Sequence, residues 1–234
     1  QYKLLVMNNL INIGIPSKGR LRKDVLKIFY KKKLKLISER GERDLIGSIK
    51  NQSNIKILYL HAREILERLG DGSLDIGFSG FDLFKESAVN TQNKITIISK
   101  LNFGNANLVI AIPDPWIDVQ TIADLEEIAF EFRDKKKKRL RVATKYPNLT
   151  RDFLFSKGVT QFKLVDSLGA TEAYPFTGSA ELITDITSTG ETLNANNLRV
   201  LKDGKILKSQ ACIFISKKNS KKIGLKKIIR LLSK

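Results

Sequence analysis

Short apolar runs alternate with segments of helical periodicity along almost the whole chain, and this alternation restricts the fold more than any other feature. Ile11–Ile15 and Ile55–Leu60 are typical of buried strands, and the segment after the first of them places Leu21, Val25 and Phe29 on one helical face. Strands that alternate with helices in this way form a largely parallel sheet covered by helices. The sequence therefore predicts an α/β protein.

The same alternation continues in a second block that begins near residue 103. Its predicted strands are Leu108–Ile112, Leu140–Thr144, Phe162–Val165 and Ile183–Thr187. Helices are predicted over Ile122–Phe132 and near Ser179–Leu182, and Asp203-Gly204 predicts a hairpin turn between extended segments at 197–201 and 206–215. Apolar residues at helical spacing near the end predict an amphipathic terminal helix.

Two α/β lobes with a cleft between them are the favoured architecture. Lobe I is predicted over residues 1–103, with 199–234 returning to it, and lobe II over residues 104–198. A single doubly wound sheet is the alternative. Gln1–Val6 precede Met7 and receive no functional weight.

Cysteine and histidine usage excludes several kinds of chemistry. The one cysteine, Cys212, leaves no partner for an internal disulfide or a thiolate metal cluster. It lies in the apolar run ACIFI, which predicts a buried structural thiol and not a nucleophile. The one histidine, His61, is expected to have a structural role at the surface or at the rim of the cleft. Without a second histidine there is no HExxH motif and no other histidine for a Ser or Cys triad.

The net charge is large, since 42 Lys+Arg against 24 Asp+Glu gives +18. The excess is mostly lysine in the runs 31–33, 135–139 and 217–227, without the interleaved aromatic residues that nucleic-acid binding uses. Solvated lysine-rich faces are the first interpretation, attraction of a polyanionic small substrate is the second, and a nucleic-acid partner is not predicted.

No apolar run approaches the roughly 20 residues that cross a bilayer, and no signal peptide is evident. Neither a membrane nor secretion is therefore expected, and a cytoplasmic location is predicted.

The strongest local signal is ELITDITSTGETL at residues 181–193, which predicts a strand, a tight polar turn and the start of a helix. Asp185 at the strand end could accept hydrogen bonds from ribose hydroxyls, with Glu181 as a weaker helper. Gly190 would allow backbone amides to approach a phosphate closely, and the positive end of the next helix would stabilise it. An ordinary capped turn is the alternative. The P-loop pattern GxxxxGK[ST] is absent.

DITSTGETL resembles the phosphoribosyl pyrophosphate loop of the ATP phosphoribosyltransferase family. Further segments resemble that family in the same order along nearly the whole chain: SKGRL at 17–21, GDGSLDIGFSGFDL at 70–83, RVATKYPNLT at 141–150, GATEAYP at 169–175 and SQACIFI at 209–215. The resemblance implies a two-lobed fold like that of type II periplasmic binding proteins. It also implies that N1 of the adenine of ATP displaces pyrophosphate from C1 of the ribose, with Mg²⁺ bound to the substrate phosphates and no metal site made by the protein.

The resemblance also assigns roles to individual residues. Catalytic roles facing the pyrophosphate fall to Arg20 and Arg43, although as sequence features alone both are more often surface charges; the resemblance reverses that interpretation for Arg20 and only balances it for Arg43. The residues expected to bind phosphoribosyl pyrophosphate are Glu172, Asp185, Ser188, Thr189, Gly190, Glu191 and Thr192. Those expected to bind ATP are Lys18, Gly19, Asp82, Lys145 and Tyr146. For Asp82 a helix cap is the alternative role, and for Tyr146 it is core packing.

The resemblance implies partners as well. A chain that ends at Lys234 is similar to the short form of the family, which acts as a homodimer with a regulatory subunit resembling histidyl-tRNA synthetase. A two-lobed small-ligand-binding protein without catalysis is the alternative function, because a shared fold does not fix an activity.

Overall fold

A computed structural model describes residues 10–38 and 45–233 of the chain. The strands are β1 Ile11–Pro16, β2 Leu36–Ile37, β3 Ile46–Ile49, β4 Gln52–Leu60, β5 Ile76–Gly80, β6 Ile95–Lys100, β7 Ala106–Pro113, β8 Leu140–Thr144, β9 Phe162–Asp166, β10 Leu182–Thr187, β11 Leu198–Ser209 and β12 Ala211–Ser216. The α-helices are α1 Gly19–Lys31, α2 Ala62–Asp71, α3 Phe81–Glu86, α4 Val89–Asn93, α5 Ile122–Lys136, α6 Pro147–Ser156, α7 Glu191–Ala195 and α8 Leu225–Ser233, and Thr171–Phe176 form a 3₁₀ helix. Among these described helices, none combines the length and apolar character needed to cross a bilayer.

The chain divides into two compact units, each with its own sheet. Of the described residues, unit 1 comprises those up to residue 104 and from residue 210 onward, and unit 2 comprises residues 105–209. Residues 199–234 are predicted from the sequence to return to lobe I, whereas 199–209 lie in unit 2 because β11 pairs with β7. Two separate sheets also mean that the alternative, a single doubly wound sheet, is wrong.

Unit 1 is built on a seven-stranded sheet in the order β2-β3-β4-β1-β5-β12-β6. Its centre is parallel, with β1 between β4 and β5, and β12 adds antiparallel to β5 after the chain returns from unit 2. The apolar face of α1 packs on this sheet: Val25 and Phe29 are buried, and the ring of Phe29 lies 5.9 Å from that of Phe78. Burying two aromatic rings and the facing strand residues supplies the main stabilisation of this layer.

Unit 2 is built on a five-stranded sheet in the order β11-β7-β10-β8-β9. The strands β10, β8 and β9 are parallel, β7 is antiparallel to β10, and β11 is antiparallel to β7. Helix α5 buries Ile122, Leu125 and Ala129, and its start is fixed by a capping box between Thr121 and Asp124. Hydrogen bonds from the backbone of Gln120 and Thr121 lower the pKa of the Asp124 carboxyl, which keeps this cap charged.

Two predicted elements are wrong. Residues 179–181 are not helical, since a 3₁₀ helix ends at Phe176 and β10 begins at Leu182. Asp203-Gly204 does not turn a hairpin, because β11 runs through it as a bulged strand whose register along β7 shifts between Val200 and Lys205. The Asp203 carboxylate accepts the backbone N–H of Ile122 at 2.8 Å, so this pair serves the first turn of α5.

Candidate active site

The polar segments of unit 2 meet at the carboxyl edge of its sheet. Thr144 of β8 lies opposite both Thr184 of β10 and Asp166 of β9, so the three parallel strands end side by side. The antiparallel β7 begins at the same edge, where its Asn107 pairs with Thr187. In open α/β sheets ligands bind outside the carboxyl ends of the strands. The segments that follow these three strands therefore form the candidate binding edge of unit 2.

The loop after β10 is a hydrogen-bonded turn. The N–H of Gly190 donates to Oγ1 of Thr187 at 2.9 Å, and the N–H of Glu191 lies 3.4 Å from Oγ1 of Thr189. Gly190 has φ 83°, and a Cβ there would meet no atom within 4 Å, so glycine is needed for the backbone conformation and not for space. Helix α7 has only five residues, so backbone N–H groups and hydroxyls are better donors to a phosphate here than the helix dipole that the sequence suggested.

The structure brings most of the residues predicted for phosphoribosyl pyrophosphate into this loop. Their exposure fits a ligand-binding turn, since the side chains of Ser188, Thr189, Glu191 and Thr192 are exposed. Asp185 lies lower in the strand and is only partly exposed. Its Oδ1 accepts the N–H of Ile186 at 2.8 Å. The loop thus presents hydroxyls to solvent above a carboxylate that is held in one orientation.

Asp185 also has a perturbed acidity. Burial raises the pKa of its carboxyl and is the largest influence. The hydrogen bond from Ile186 and the charge of Lys145 lower this pKa, and the charge of Glu172 raises it again. Lys145, Glu172 and Asp185 come from three different segments, and the sheet edge brings them within electrostatic reach of one another. All three were predicted to bind substrate, and a perturbed carboxyl among charged neighbours is typical of a functional site.

A buried cluster of threonine hydroxyls lies under this edge, and sequence reasoning missed it. The Thr184 and Thr144 hydroxyls are 2.5 Å apart, those of Thr150 and Thr184 2.7 Å, and those of Thr144 and Thr150 3.2 Å. Oγ1 of Thr144 also accepts the backbone N–H of Tyr146 at 2.8 Å. The cluster ties the segment holding Lys145 and Tyr146 to the residue before Asp185. No sequence signal separates these threonines from ordinary strand and helix residues, because their contact depends on the pairing of β8 with β10.

Two residues of unit 2 have more structural roles than the sequence suggested. Tyr146 is only 6% exposed, which fits its alternative role in core packing. Glu181 was expected to help Asp185, and this expectation is wrong. Glu181 binds Arg141, with Oε1 2.6 Å from Nη2, and this contact raises the pKa of the Arg141 guanidinium. Four residues of strand separate Glu181 from Asp185 by about 13 Å.

Unit 1 has a corresponding carboxyl edge, where β1, β4 and β5 end. Its first loop holds Lys18, Gly19 and Arg20, and all three residues are exposed. Gly19 has φ 82°, and a Cβ there would meet no atom within 4 Å, so this glycine sets the turn into α1 through its backbone conformation. Arg22, a little further along α1, is engaged: it donates to the carbonyl of Ser17 at 2.8 Å. The hydrogen bond of Arg22 therefore fixes the loop, while the side chain of Arg20 stays exposed, as the role predicted for Arg20 requires.

The segments after β4 and β5 complete this edge. His61 caps α2, with its Nδ1 3.4 Å from the N–H of Arg63, which is the structural role expected of it. Asp82 is 9% exposed, and a Cβ on Gly80 would overlap its Oδ1, so glycine lets the carboxylate fold back over the strand end. Cys212 is fully buried beside this edge, and burial raises the pKa of its thiol to about 11. The predicted structural role of Cys212 is confirmed.

The second predicted catalytic arginine, Arg43, lies outside the described residues. Among the residues that are described, no group of three or more His, Cys, Asp and Glu side chains could hold a metal ion.

Comparison with protein families identifies what the chain is similar to. The family model described as HisG, ATP phosphoribosyltransferase, matches residues 61–234. An ATP phosphoribosyltransferase of Nitrobacter winogradskyi is 45% identical over 97% of this chain and 70% of its own length. One from Brucella melitensis biotype 2 is 42% identical over 89% of this chain and 91% of its own length.

Comparison with solved structures supports the fold. The ATP phosphoribosyl transferase (HisG:HisZ) complex from Thermotoga maritima matches with a TM-score of 0.74 at 24% identity, covering 95% of this chain and 96% of that one. The arginine-bound form of truncated ArgBP from T. maritima matches with a TM-score of 0.54 at 11% identity, covering 98% of each chain. The predicted likeness to type II periplasmic binding proteins is confirmed. Identities this low show the fold alone, so the second match does not favour a binding protein without catalysis.

Proposed function

The chain belongs to the ATP phosphoribosyltransferase family, and on that premise we propose how its residues carry the reaction. The activity transfers the phosphoribosyl group of phosphoribosyl pyrophosphate to N1 of the adenine of ATP, releases pyrophosphate and begins histidine biosynthesis. Adenine N1 attacks without losing a proton, so the reaction needs positioning and stabilisation of the leaving group more than a general base. This demand suits a chain whose one histidine caps a helix.

Asp185 and the loop after it hold the phosphoribosyl group in this proposal. The observation that carries it is the partly buried Asp185 at the end of β10, directly before the hydrogen-bonded turn of Thr187–Gly190. The carboxylate accepts hydrogen bonds from the ribose hydroxyls, and the hydroxyls of Ser188, Thr189 and Thr192 donate to the 5′-phosphate. Glu172 lies within electrostatic reach of Asp185 and contributes a second acceptor for the ribose. Gly190 shapes the turn, since its N–H already donates to Thr187, and the N–H of Glu191, which has only a long contact of 3.4 Å with Oγ1 of Thr189, completes the phosphate contacts.

Residues at the carboxyl edge of the unit 1 sheet stabilise the leaving pyrophosphate in this proposal. Pyrophosphate gains negative charge as the bond to C1 breaks, so a cation that meets it stabilises the transition state more than the ground state. Arg20 is exposed at the start of α1, and its guanidinium can hold two phosphate oxygens at once. Arg43 is proposed for the same role from the family resemblance alone. Lys18, Gly19, Asp82, Lys145 and Tyr146 are assigned to ATP, with the buried Tyr146 acting through the position of its backbone.

Mg²⁺ is proposed to enter with the substrates. Mg²⁺ prefers six oxygen ligands and keeps several waters, so substrate phosphates with one or two carboxylates suffice. Asp185 and Glu172 are two carboxylates within electrostatic reach of each other, which fits such a shared site. When bound, the ion neutralises charge on the pyrophosphate.

A homodimer with a regulatory subunit resembling histidyl-tRNA synthetase is proposed as the working assembly. Support comes from the solved Thermotoga maritima structure, which is a HisG:HisZ complex and whose matched chain is covered to 96%. A cytoplasmic location remains a prediction from the sequence.

The experiment that tests this function mixes the protein with ATP, phosphoribosyl pyrophosphate and Mg²⁺ and follows the ultraviolet absorbance of the N1-substituted adenine. Turnover is expected, and it is expected to increase when a regulatory subunit is added. Omission of Mg²⁺ should abolish turnover. Absence of turnover with and without the regulatory subunit, together with absence of binding of either substrate, would contradict the proposal.

A further inference from the structure

A basic cavity of about 700 Å³ opens on unit 2 away from the loop just described. Its cationic side chains come from the end of α5, the segment after α5 and the start of β9. They are Arg133, Lys136, Lys138, Arg139 and Lys163, together with Arg141, which is paired with Glu181. We name this set the basic cavity. None of its residues is among those assigned above to the two substrates.

The basic cavity lies at the amino-terminal edge of the sheet. Arg141 is the second residue of β8 and pairs in register with Lys163, the second residue of β9. The predicted substrate-binding residues Lys145 and Asp185 lie at the opposite edge, after β8 and near the end of β10. Five residues of strand separate the two edges by about 16 Å. A ligand in the basic cavity therefore occupies a different site from the phosphoribosyl group.

The one carboxylate that lines the cavity is already neutralised. Glu181 is engaged by Arg141 through Nε and Nη2 and also accepts the backbone N–H of Arg141 at 2.7 Å. The acidic residues at the end of α5 pair outside the cavity lining, Glu131 with Lys135 and Asp134 with Lys137. In the part of the chain that the structure describes, the other five cations of the cavity form no ion pair, so about five positive charges remain there.

Such an arrangement is electrostatically unfavourable when nothing is bound. Arg133 and Lys136 are neighbours on one helical face, and Lys163 lies on the strand next to Arg141. Like charges this close repel one another, and screening by salt reduces the repulsion without removing it. An anion that contacts several of them at once releases counterions and relieves the repulsion. The relief increases with the number of charges on the anion.

We propose that the basic cavity binds a polyphosphate chain of two or more phosphate groups. Guanidinium groups at Arg133 and Arg139 can each hold two phosphate oxygens, and the lysines act as point charges around them. A volume of about 700 Å³ is within the range of small-ligand sites and exceeds what a single phosphate fills. The proposal does not depend on the function assigned to the opposite edge.

An adjoining groove adds a second source of such a chain, a nucleotide. This groove of about 530 Å³ shares Phe132, Lys136 and Glu181 with the basic cavity and continues past Trp116 and Ile117. Ile117 is 71% exposed, and Nζ of Lys136 lies 4.0 Å from the centre of the Phe132 ring. An aromatic and apolar surface beside a phosphate site is suited to a nucleobase. The ligand is therefore either an inorganic polyphosphate or the polyphosphate of a nucleotide.

The test measures binding of inorganic tripolyphosphate by calorimetry at about 0.15 M salt, where diffuse attraction is screened beyond about 8 Å. The test variant is Lys138→Ala with Arg139→Ala. The matched control is Lys50→Ala with Lys94→Ala, which removes the same charge from two exposed positions of unit 1. The proposal predicts a Kd at least tenfold higher for the first pair and within twofold of wild type for the second. Equal losses in both pairs would mean diffuse attraction and would overturn the proposal, as would wild-type binding by the first pair.

Amide chemical shifts give the location independently. Tripolyphosphate should shift the amide signals of residues 136–141 and 163. Shifts confined to residues 187–192 would place the anion at the opposite edge and contradict the proposal.

A second arm separates the two sources. CTP should bind the wild type at least tenfold more tightly than tripolyphosphate if the site takes a nucleotide, and Trp116→Ala should abolish the difference. Equal affinities that Trp116→Ala does not change assign the site to inorganic polyphosphate. In either case, the variant with Lys138→Ala and Arg139→Ala must bind both tripolyphosphate and CTP more weakly than the wild type.

Discussion

The carboxyl edges of the two sheets differ in how far they are organised before a substrate binds. In unit 2 the turn at Thr187–Gly190 is closed by its own hydrogen bonds, Asp185 is fixed by the N–H of Ile186, and a buried hydroxyl cluster supports both neighbouring strands. In unit 1 the loop at Lys18–Arg20 is exposed, and within the described residues the side chain of Arg20 forms no hydrogen bond or ion pair.

This difference matches the two tasks of the reaction. A ribose phosphate must be held in one orientation for its C1 to be attacked, and a prebuilt site avoids the entropy cost of ordering its own side chains. The departing pyrophosphate must be contacted by a cation and then released, and a long exposed arginine can do both. We infer that unit 2 provides orientation and unit 1 provides mobile charge.

The largest expected effect is on the organised edge. Asp185→Ala removes the charged acceptor of the ribose hydroxyls, and hydrogen bonds to charged groups contribute about 1.5–3 kcal/mol each. The Kd for phosphoribosyl pyrophosphate should rise by about 30- to 100-fold, and the Kd for ATP should change by less than about threefold. Calorimetry with each substrate alone measures both values. Equal losses for the two substrates would contradict the role of Asp185.

A substitution at the carboxyl edge of unit 1 should change turnover more than it changes substrate binding. Arg20→Ala is expected to lower kcat by about 100-fold, because leaving-group stabilisation acts in the transition state. Thermal stability should not change, since Arg20 is exposed. Steady-state kinetics and a melting curve provide the two measurements, with Lys23→Ala on the same helix as the matched control. An unchanged kcat would remove Arg20 from the catalytic residues.

The hydroxyl cluster should link stability to binding in unit 2. Thr150→Val replaces a fully buried hydroxyl with a methyl group of similar size and leaves Thr184 with one partner fewer. A loss of about 1–3 kcal/mol in the free energy of unfolding is expected, with weaker binding of phosphoribosyl pyrophosphate. Urea denaturation measures the first effect and calorimetry the second. Thr160→Val, at an exposed threonine, is the control and should change neither.

The smallest expected effect is a gain in stability. Because burial raises the pKa of Asp185 above its ordinary value of 3.8, the folded protein holds this proton more strongly than the unfolded chain does. Stability is therefore lost as the pH rises through the folded pKa, and ionised Asp185 costs stability at neutral pH. Asp185→Asn should stabilise the substrate-free protein by roughly 0.5–1 kcal/mol at pH 7.

Urea denaturation of Asp185→Asn and wild type between pH 4.5 and 8 checks the sign. The difference should shrink toward the acid end, as the Asp185 carboxyl takes up its proton. A variant less stable than wild type at pH 7 would mean that the ionised carboxylate of Asp185 stabilises the folded protein. That result would contradict the expected cost of burying this charge.

Much of this architecture could be predicted from periodicity. The strands at Ile11, Ile55, Leu108, Leu140 and Phe162 begin at or near the expected residues, because buried parallel strands are short apolar runs. The prediction failed where a local signal had another use. Asp203-Gly204 has the composition of a hairpin turn, but its carboxylate caps α5 while the strand passes through. No local pattern reveals that contact, since the two partners lie 81 residues apart.

The sequence by itself determined the class of fold, the family and the loop at residues 185–192, because each is written in consecutive residues or in their order. Only the tertiary structure decided that Lys145, Glu172 and Asp185 influence one another, that Glu181 belongs with Arg141, and that three threonines support the site from below. The physical reason is strand pairing. Side chains far apart in the chain become neighbours once their strands are in register, and their burial and charge then set the chemistry of the site.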